Sequence, residues 1–264
     1  MHPVLIDFGF FKLHTYGACM ALGFLISWKL VERISGRKDL ADLIMYLLAG
    51  GVVGSRIAYV IEHWTSEFAA NPVMVFRVDR GGLVFYGGLI LSMLIFFVWC
   101  VLKKERPLAL ADLLCVVVPL GHAFGRIGCF FYGCCWGRIS DSPLAVSFPR
   151  HSPAWYDQLS HGLIDQTASA SLPVLPTQLL EASALFVLFA ILIAIYLKWR
   201  RHTAGVYLIG YAALRFGMEY LRGDPRAAVL GLSIGQTISL GMAFAGAAFI
   251  VMGLRRNRSD KVEP

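Results

Sequence analysis

The chain has 264 residues, 57% of them hydrophobic and 16% charged, with a net charge of +7. Its mean hydropathy is +0.64. A soluble domain carries about 25% charged residues, so this composition excludes one and marks an integral membrane protein. The basic residues lie in short clusters between apolar runs, which makes them a topology signal and not a nucleic-acid footprint; no nucleic-acid partner is expected.

Seven apolar segments appear in order, at about 14–32, 41–62, 83–102, 108–130, 175–198, 204–222 and 231–254. Each is long enough, or nearly so, to cross ~30 Å of hydrocarbon as a helix. They show no period-2 alternation, so helices and not barrel strands are expected. The expected fold is an all-α polytopic membrane protein with seven transmembrane helices in one domain over 1–254, followed by a basic cytoplasmic tail at 255–264. The N-terminus has no basic n-region and no A-x-A-like site, so no cleavable signal peptide is expected.

The basic clusters set the orientation. Lys29, Arg33, Arg37 and Lys38 follow the first segment, and Lys103, Lys104 and Arg106 follow the third. Lys198, Arg200 and Arg201 follow the fifth, and Arg255, Arg256, Arg258 and Lys261 follow the seventh. On a seven-span path all of these fall on one side, which is then cytoplasmic, with the N-terminus outside. The loop at 131–175, rich in proline and carrying the polar run SHGLIDQTASAS, falls on the outer side. It is too long for a plain connector and reads as a small extracytoplasmic head or lid.

The remaining basic residues include several inside or beside the spans. Arg56 lies in the second segment and Arg126 at the outer end of the fourth, neither with a carboxylate close in sequence. An arginine next to hydrocarbon is costly and is a functional hypothesis by default. In the sixth segment Arg215 and Glu219 are four residues apart, on one helix face, with Arg222 about one turn further. These read either as an ion-pair ladder that fixes packing or as part of an anion site. Glu181 and Gln178 sit near the start of the fifth segment. Tyr16 enters the first segment, Tyr86 lies between the pairs Gly81–Gly82 and Gly87–Gly88, and His122 is one turn before Arg126. The glycine pairs fit close helix contacts as well as a lipid wall. Cys129, Cys134 and Cys135 cluster at the end of the fourth segment, where a disulfide, a thiol redox centre or small packed residues are all open. Their C-x4-CC spacing is not a standard zinc pattern, and no metal is expected.

Taken together, RIAYV after a glycine-rich run, GGLVFYGGL, GRIGCFFYGCCWGR, LPTQLLE and GYAALRFGMEYLR resemble, in order and spacing, the bacterial prolipoprotein diacylglyceryl transferases over almost the whole chain. The resemblance implies transfer of a diacylglyceryl group from phosphatidylglycerol to the lipobox cysteine thiol of a prolipoprotein signal peptide, releasing glycerol 1-phosphate. It implies a bacterial inner-membrane enzyme with its site toward the outer leaflet and no cofactor. By position, Arg126 resembles the family's phosphatidylglycerol-binding arginine and Arg215 its second essential arginine. Tyr16, Glu181, Gly137, Glu219 and Arg222 match further functional or structurally important positions. The chain departs from the family at three places: Tyr86 stands where a histidine is usual, Cys129 where an asparagine is usual, and Cys134 where an acidic residue is frequent.

On this basis Arg126 and Arg215 are expected to clamp the phosphate, with Tyr16, Arg56, Gly87, Gly88 and Gly137 around the lipid. Tyr86 and Glu181 are the candidates for proton transfer, and Glu219, Arg222 and Gln178 support the ion pairs. Two alternatives use the same residues differently: a lipid- or anion-binding membrane protein built on the arginines, and a membrane thiol oxidoreductase built on Cys129, Cys134 and Cys135.

Overall fold

The computed structural model describes residues 4–7, 12–77, 82–224, 228–229 and 231–259. Arg80, Gly81, Arg226 and Lys261 lie outside the described residues, as do the side chains of Lys12, Arg255, Arg256 and Arg258. The element order is β1 (Val4–Asp7), β2 (Lys12–His14), α1 (Thr15–Ser35), α2 (Lys38–Glu62), α3 (Phe85–Lys103), α4 (Pro107–Tyr132), α5 (Pro153–Ser160), α6 (Thr177–Trp199), α7 (Thr203–Glu219), β3 (Ala228–Val229), β4 (Leu232–Ser233) and α8 (Ile234–Ser259). Each predicted apolar segment corresponds to one long helix. The sequence reading did not anticipate the two short antiparallel hairpins, β1 with β2 and β3 with β4.

Among the described residues, five helices are long and apolar enough to cross a membrane: α2, α3, α4, α6 and the Ile234–Leu254 part of α8. α1 carries Lys29, Glu32 and Arg33 toward its end. α7 has 17 residues and includes Arg215 and Glu219; at ~1.5 Å per residue it is about 25 Å long. The outward surface of the apolar helices is itself apolar. Ile61, Ile90, Val101, Leu102 and Phe244 are all more than half exposed, and α3 buries only Gly88 and Cys100. A helix that is hydrophobic all round and left uncovered is one whose solvent is lipid.

Within the expected single domain the chain divides into two compact units, Trp28–Leu110 and Met1–Ser27 with Ala111–Pro264. In the first unit, α2 and α3 meet through glycines. A Cβ on Gly54 would lie 2.4 Å from the Gly87 carbonyl oxygen, and one on Gly88 would lie 2.5 Å from that of Gly51. Lipid tails are as apolar as leucine, so helices in a bilayer gain by close backbone packing and not by hiding apolar surface. Ser92 Oγ adds a hydrogen bond to the Leu47 carbonyl at 2.9 Å.

The second unit contains the rest of the helices and the head. The Ala123, Ala182 and Leu185 core joins α4 to α6, and Tyr211 and Leu214 of α7 pack against it. Gly205 of α7 and Gly246 of α8 approach so closely that a Cβ on either would lie within 2.9 Å of the other's carbonyl oxygen. Asp112 of α4 receives the Ala204 amide at 2.8 Å and the Thr203 hydroxyl bonds its carbonyl, so α4 caps the start of α7.

The segment after α4 is a folded head with its own small core of Trp136, Phe148, Ala154 and Val174. Ser152 caps α5 by accepting the Trp155 amide at 3.2 Å, with Pro153 in the first helical position. Gln158 Oε1 accepts the Leu172 amide at 2.7 Å, and Trp155 Nε1 donates to the Ala168 carbonyl at 3.0 Å.

These glycine contacts predict a contrast. Gly54→Val must push apart two backbones and is expected to cost about 1–3 kcal/mol, read as a lower thermal midpoint in detergent. Gly241→Ala, where nothing lies within 4 Å of the new Cβ, is expected to leave the midpoint unchanged or raise it. Equal midpoints for the two variants would contradict the close α2–α3 contact.

Candidate active site

In the second unit, α4, α6 and α7 bring their polar residues to one buried cluster. Arg126 Nη2 of α4 lies 3.0 Å from Glu181 Oε1 of α6, whose side chain is fully buried. The sequence offered Arg126 no nearby carboxylate; the fold supplies one from 55 residues away. His122, one turn before Arg126, has Nε2 at 3.9 Å from the same carboxylate oxygen. Its ring meets Tyr211 of α7 edge-on, with centroids 5.2 Å apart. Arg126 and Arg215 both lie within electrostatic reach of His122 and Tyr211.

Arg215 pairs with Glu219 at 2.8 Å, as the i, i+4 spacing predicts. Beside them Gly235 of α8 leaves the room they need, since a Cβ there would lie 2.9 Å from Arg215 Nη2. Arg222 does not continue this ladder. Its guanidinium forms a two-pronged pair with Asp224, at 2.7 and 2.8 Å. Sequence reasoning missed Tyr211 and Asp224. Tyr211 was recoverable, because 207, 211, 215 and 219 form one stripe of polar and aromatic residues at helical spacing.

Among the described residues, three guanidinium donors in this region are buried without an acceptor: Arg126 Nε, Arg215 Nη1 and Arg222 Nη1. Glu181 also has no well-aligned hydrogen bond on either oxygen, so its contact with Arg126 is an ion pair of imperfect angle. Buried charged donors left unpaired are costly. They are what a phosphate group, with several acceptor oxygens, would satisfy.

The head and the end of α7 frame this cluster. Gly137 donates its amide to the Leu175 carbonyl at 2.9 Å, and Arg138 donates to Leu221 at 2.9 Å. A Cβ on Gly137 would lie 2.7 Å from the Leu221 carbonyl oxygen, so this position is filled by backbone. Gln178 Nε2 donates to the Cys134 carbonyl at 2.7 Å, and Thr177 Oγ1 to that of Cys135 at 2.8 Å. Tyr16 lies over Gly128 of α4, where a Cβ would come within 2.9 Å of its ring.

Cys129, Cys134 and Cys135 are unbridged thiols whose sulfurs all lie within 4.8 Å of one another. Hydrogen bonds from the Cys129 and Cys134 thiols, with the Arg222 charge close by, hold Cys135 below the ordinary thiol range.

Arg56, Gly87, Gly88 and Tyr86 belong to the other unit. The buried Arg56 guanidinium donates to the carbonyls of Met74 at 2.7 Å, Val75 at 2.9 Å, and Arg77 and Gly82 at 3.1 Å. It organises the loop between α2 and α3. Gly87 and Gly88 form the helix contact described above. Tyr86 begins α3 with its side chain 53% exposed.

Among the described residues, five helices long and apolar enough to cross a membrane and a buried arginine–carboxylate cluster define a polytopic membrane protein equipped for an anionic group. Comparison with known families places the chain further. Residues 3–252 match the family described as prolipoprotein diacylglyceryl transferase. Proteins named phosphatidylglycerol–prolipoprotein diacylglyceryl transferase are similar along almost their whole length. That of Stenotrophomonas maltophilia is 32% identical over 96% of this chain and 92% of its own. That of Pseudomonas aeruginosa is 32% identical over 98% and 96%, and that of Bordetella bronchiseptica 33% over 96% and 95%. The chain belongs to the prolipoprotein diacylglyceryl transferase family.

The Arg126–Glu181 pair makes a stability prediction. Glu181→Ala leaves a buried guanidinium without its carboxylate and is expected to cost about 3–5 kcal/mol. The double variant Arg126→Met with Glu181→Leu removes both charges and is expected to recover most of the lost thermal midpoint. A double variant as unstable as Glu181→Ala would show that the pair is not the source of the effect.

Proposed function

We propose that the protein transfers the diacylglyceryl group of phosphatidylglycerol to the lipobox cysteine thiol of a prolipoprotein signal peptide, forming a thioether and releasing glycerol 1-phosphate. Family membership favours this reading over a lipid- or anion-binding protein or a thiol oxidoreductase. The observation that carries it is the set of unpartnered buried guanidinium donors on Arg126 and Arg215 around Glu181.

The reaction is a displacement at an alkyl carbon. A thiolate attacks the glyceryl carbon, the carbon–oxygen bond breaks, and the phosphate leaves with the electron pair. Arg126 Nε and Arg215 Nη1 donate hydrogen bonds to the phosphate oxygens on which charge grows, in a site where such contacts act at low dielectric. A phosphate on Arg126 competes with Glu181 for that guanidinium. Glu181 is thereby loosened from its cation and takes the proton of the acceptor thiol, which offsets the added negative charge. Tyr16 borders the lipid site, Gly137 and Gln178 hold the head against α6, and Glu219 and Arg222 position α7 and the head. Arg56, Gly87 and Gly88 shape the α2–α3 unit, in which Tyr86 opens α3.

The topology proposed with this function has seven spans in the bacterial inner membrane, with the C-terminus cytoplasmic. The site faces the outer leaflet, and the 131–175 head shields it on the extracytoplasmic side and docks the signal peptide.

The test is release of glycerol phosphate by the detergent-purified protein, given phosphatidylglycerol and a lipobox peptide. Arg126→Lys keeps the charge but loses the planar fork, and is expected to lower turnover by about 10²–10³-fold without loss of fold. Near-normal turnover in that variant would rule out the clamp. Glu181→Gln is expected to abolish most turnover, whereas Tyr86→Phe keeps most of it. The reverse ranking would transfer the proton-accepting role to Tyr86.

A further inference from the structure

The cysteine cluster has no role in the mechanism above, yet the fold constrains it strongly. Cys129 lies in the last turn of α4, and Gly133 then turns the chain with φ +82°. Cys135 has φ +66°, in the left-handed region that non-glycine residues seldom occupy. The neighbouring backbone is fastened by the fully buried side chains of Thr177 and Gln178, on the Cys135 and Cys134 carbonyls. Strain of this kind persists only where the surroundings enforce it. Its result is three sulfurs within 4.8 Å of one another, with no bond between them.

Zinc binds thiolate sulfur at about 2.3 Å in tetrahedral geometry, which sets ligand sulfurs roughly 3.8 Å apart. The three thiols reach that spacing by side-chain shifts of about 1 Å or less. Among the described residues no fourth His, Cys, Asp or Glu joins the group. The cluster is also only half buried. Three protein ligands and one open position are the pattern of a reactive site and not of a closed structural one. The neighbours suit the charge balance. Arg222 and Arg126 lie within electrostatic reach of Cys135 and offset the surplus negative charge of three thiolates on one divalent cation. Arg126 is within reach of Cys129 as well, so the same guanidinium faces both the cysteines and the Glu181 cluster.

We propose that Cys129, Cys134 and Cys135 bind one thiophilic divalent cation of the zinc type, and that its open fourth position receives the acceptor's cysteine thiol. The identity of the fourth ligand rests on the transferase reading; the three-cysteine metal site does not. On binding the cation, the three cysteines release their protons to solvent. The acceptor thiol coordinates, and its proton passes to Glu181. The bound sulfur then forms the bond to the glyceryl carbon while the carbon–oxygen bond breaks toward the phosphate. Its product is a neutral thioether, a weak ligand that leaves, and the cation keeps its charge throughout. No oxidant or reductant enters.

The experiment uses the full-length protein in detergent, purified with reductant and without a metal-affinity tag, then loaded with Zn²⁺ or Co²⁺. One equivalent of metal per chain is expected, and the cobalt form is expected to show thiolate charge-transfer absorption and the visible bands of a tetrahedral site. Cys129→Ser and Cys135→Ser are expected to weaken metal binding by at least about tenfold, while Cys115→Ser binds normally. Absence of stoichiometric binding, or binding that survives both substitutions in variants with a normal thermal midpoint, overturns the site. Adding a lipobox peptide is expected to intensify the charge-transfer band, and the same peptide with serine for cysteine is not. An unchanged spectrum, or full turnover by chelator-treated protein, overturns the open-position role. Bound metal with no turnover under any condition supports the metal site and removes the transferase reading instead.

Discussion

The Arg126–Glu181 pair is the constraint to which the rest of the second unit answers. Taking both charges out of water costs several kcal/mol per ion, which their attraction repays only with good geometry. Here the geometry is incomplete: the two groups are 3.0 Å apart, yet neither Glu181 oxygen has an aligned donor and Arg126 Nε has no acceptor. Such a pair does not hold α4 and α6 together. The frame holds the pair, through the Ala123, Ala182 and Leu185 core on one side and the Thr177 and Gln178 bonds to the cysteine backbone on the other. An ion pair kept in place by its surroundings and not fully satisfied is one that an incoming phosphate can rearrange without unfolding the site.

That frame depends on backbone proximity more than on apolar burial. The contacts at Gly54 with Gly87, Gly205 with Gly246 and Gly137 with Leu221 each leave no space for a Cβ. In water a helix pair gains by covering its apolar stripe. In lipid that gain is absent, and close packing with hydrogen bonds takes its place. The exposed Ile90, Val101 and Phe244 side chains are then the ordinary surface of the molecule, and its small residues do the joining. The head follows the water-soluble rule instead, with Phe148 and Val174 fully buried within a segment of mixed composition.

The helices were legible in the sequence because length and apolarity are local properties. The predicted segment at 83–102 is α3, Phe85–Lys103, to within three residues. The Arg215–Glu219 pair was legible for the same reason, since i, i+4 spacing fixes it within one helix. Partners distant in sequence were not. Nothing near Arg126 announces Glu181, and nothing near Arg222 ranks Asp224 above Glu219. Arg56 shows the opposite limit. Intramembrane arginines invite a functional reading, but its acceptors include four backbone carbonyls among the described residues, and a carbonyl looks the same at every residue. The two hairpins escaped because strands of two to four residues are shorter than any period that a sequence can display.

The resemblance marks three departures from the family pattern, to which the proposed metal site would give a common meaning. By the resemblance, Tyr86 stands where the family usually has a histidine. The other two departures, Cys129 and Cys134, each place a sulfur in the same cluster as Cys135. An acceptor thiol in water has a pKa of ~8.5, so a strong base is needed only while that thiol remains unperturbed. A divalent cation held by Cys129, Cys134 and Cys135 would supply deprotonation of a coordinated thiol, and a carboxylate such as Glu181 would then suffice to carry the proton away. Under the proposed metal site, the loss of the imidazole and the gain of the sulfurs would be two sides of one exchange. With the proposed cation bound, the proton-transfer task would move from a side chain to a ligand set that changes the pKa of the substrate thiol. Arg126, paired with Glu181 and within electrostatic reach of Cys129 and Cys135, links the two clusters.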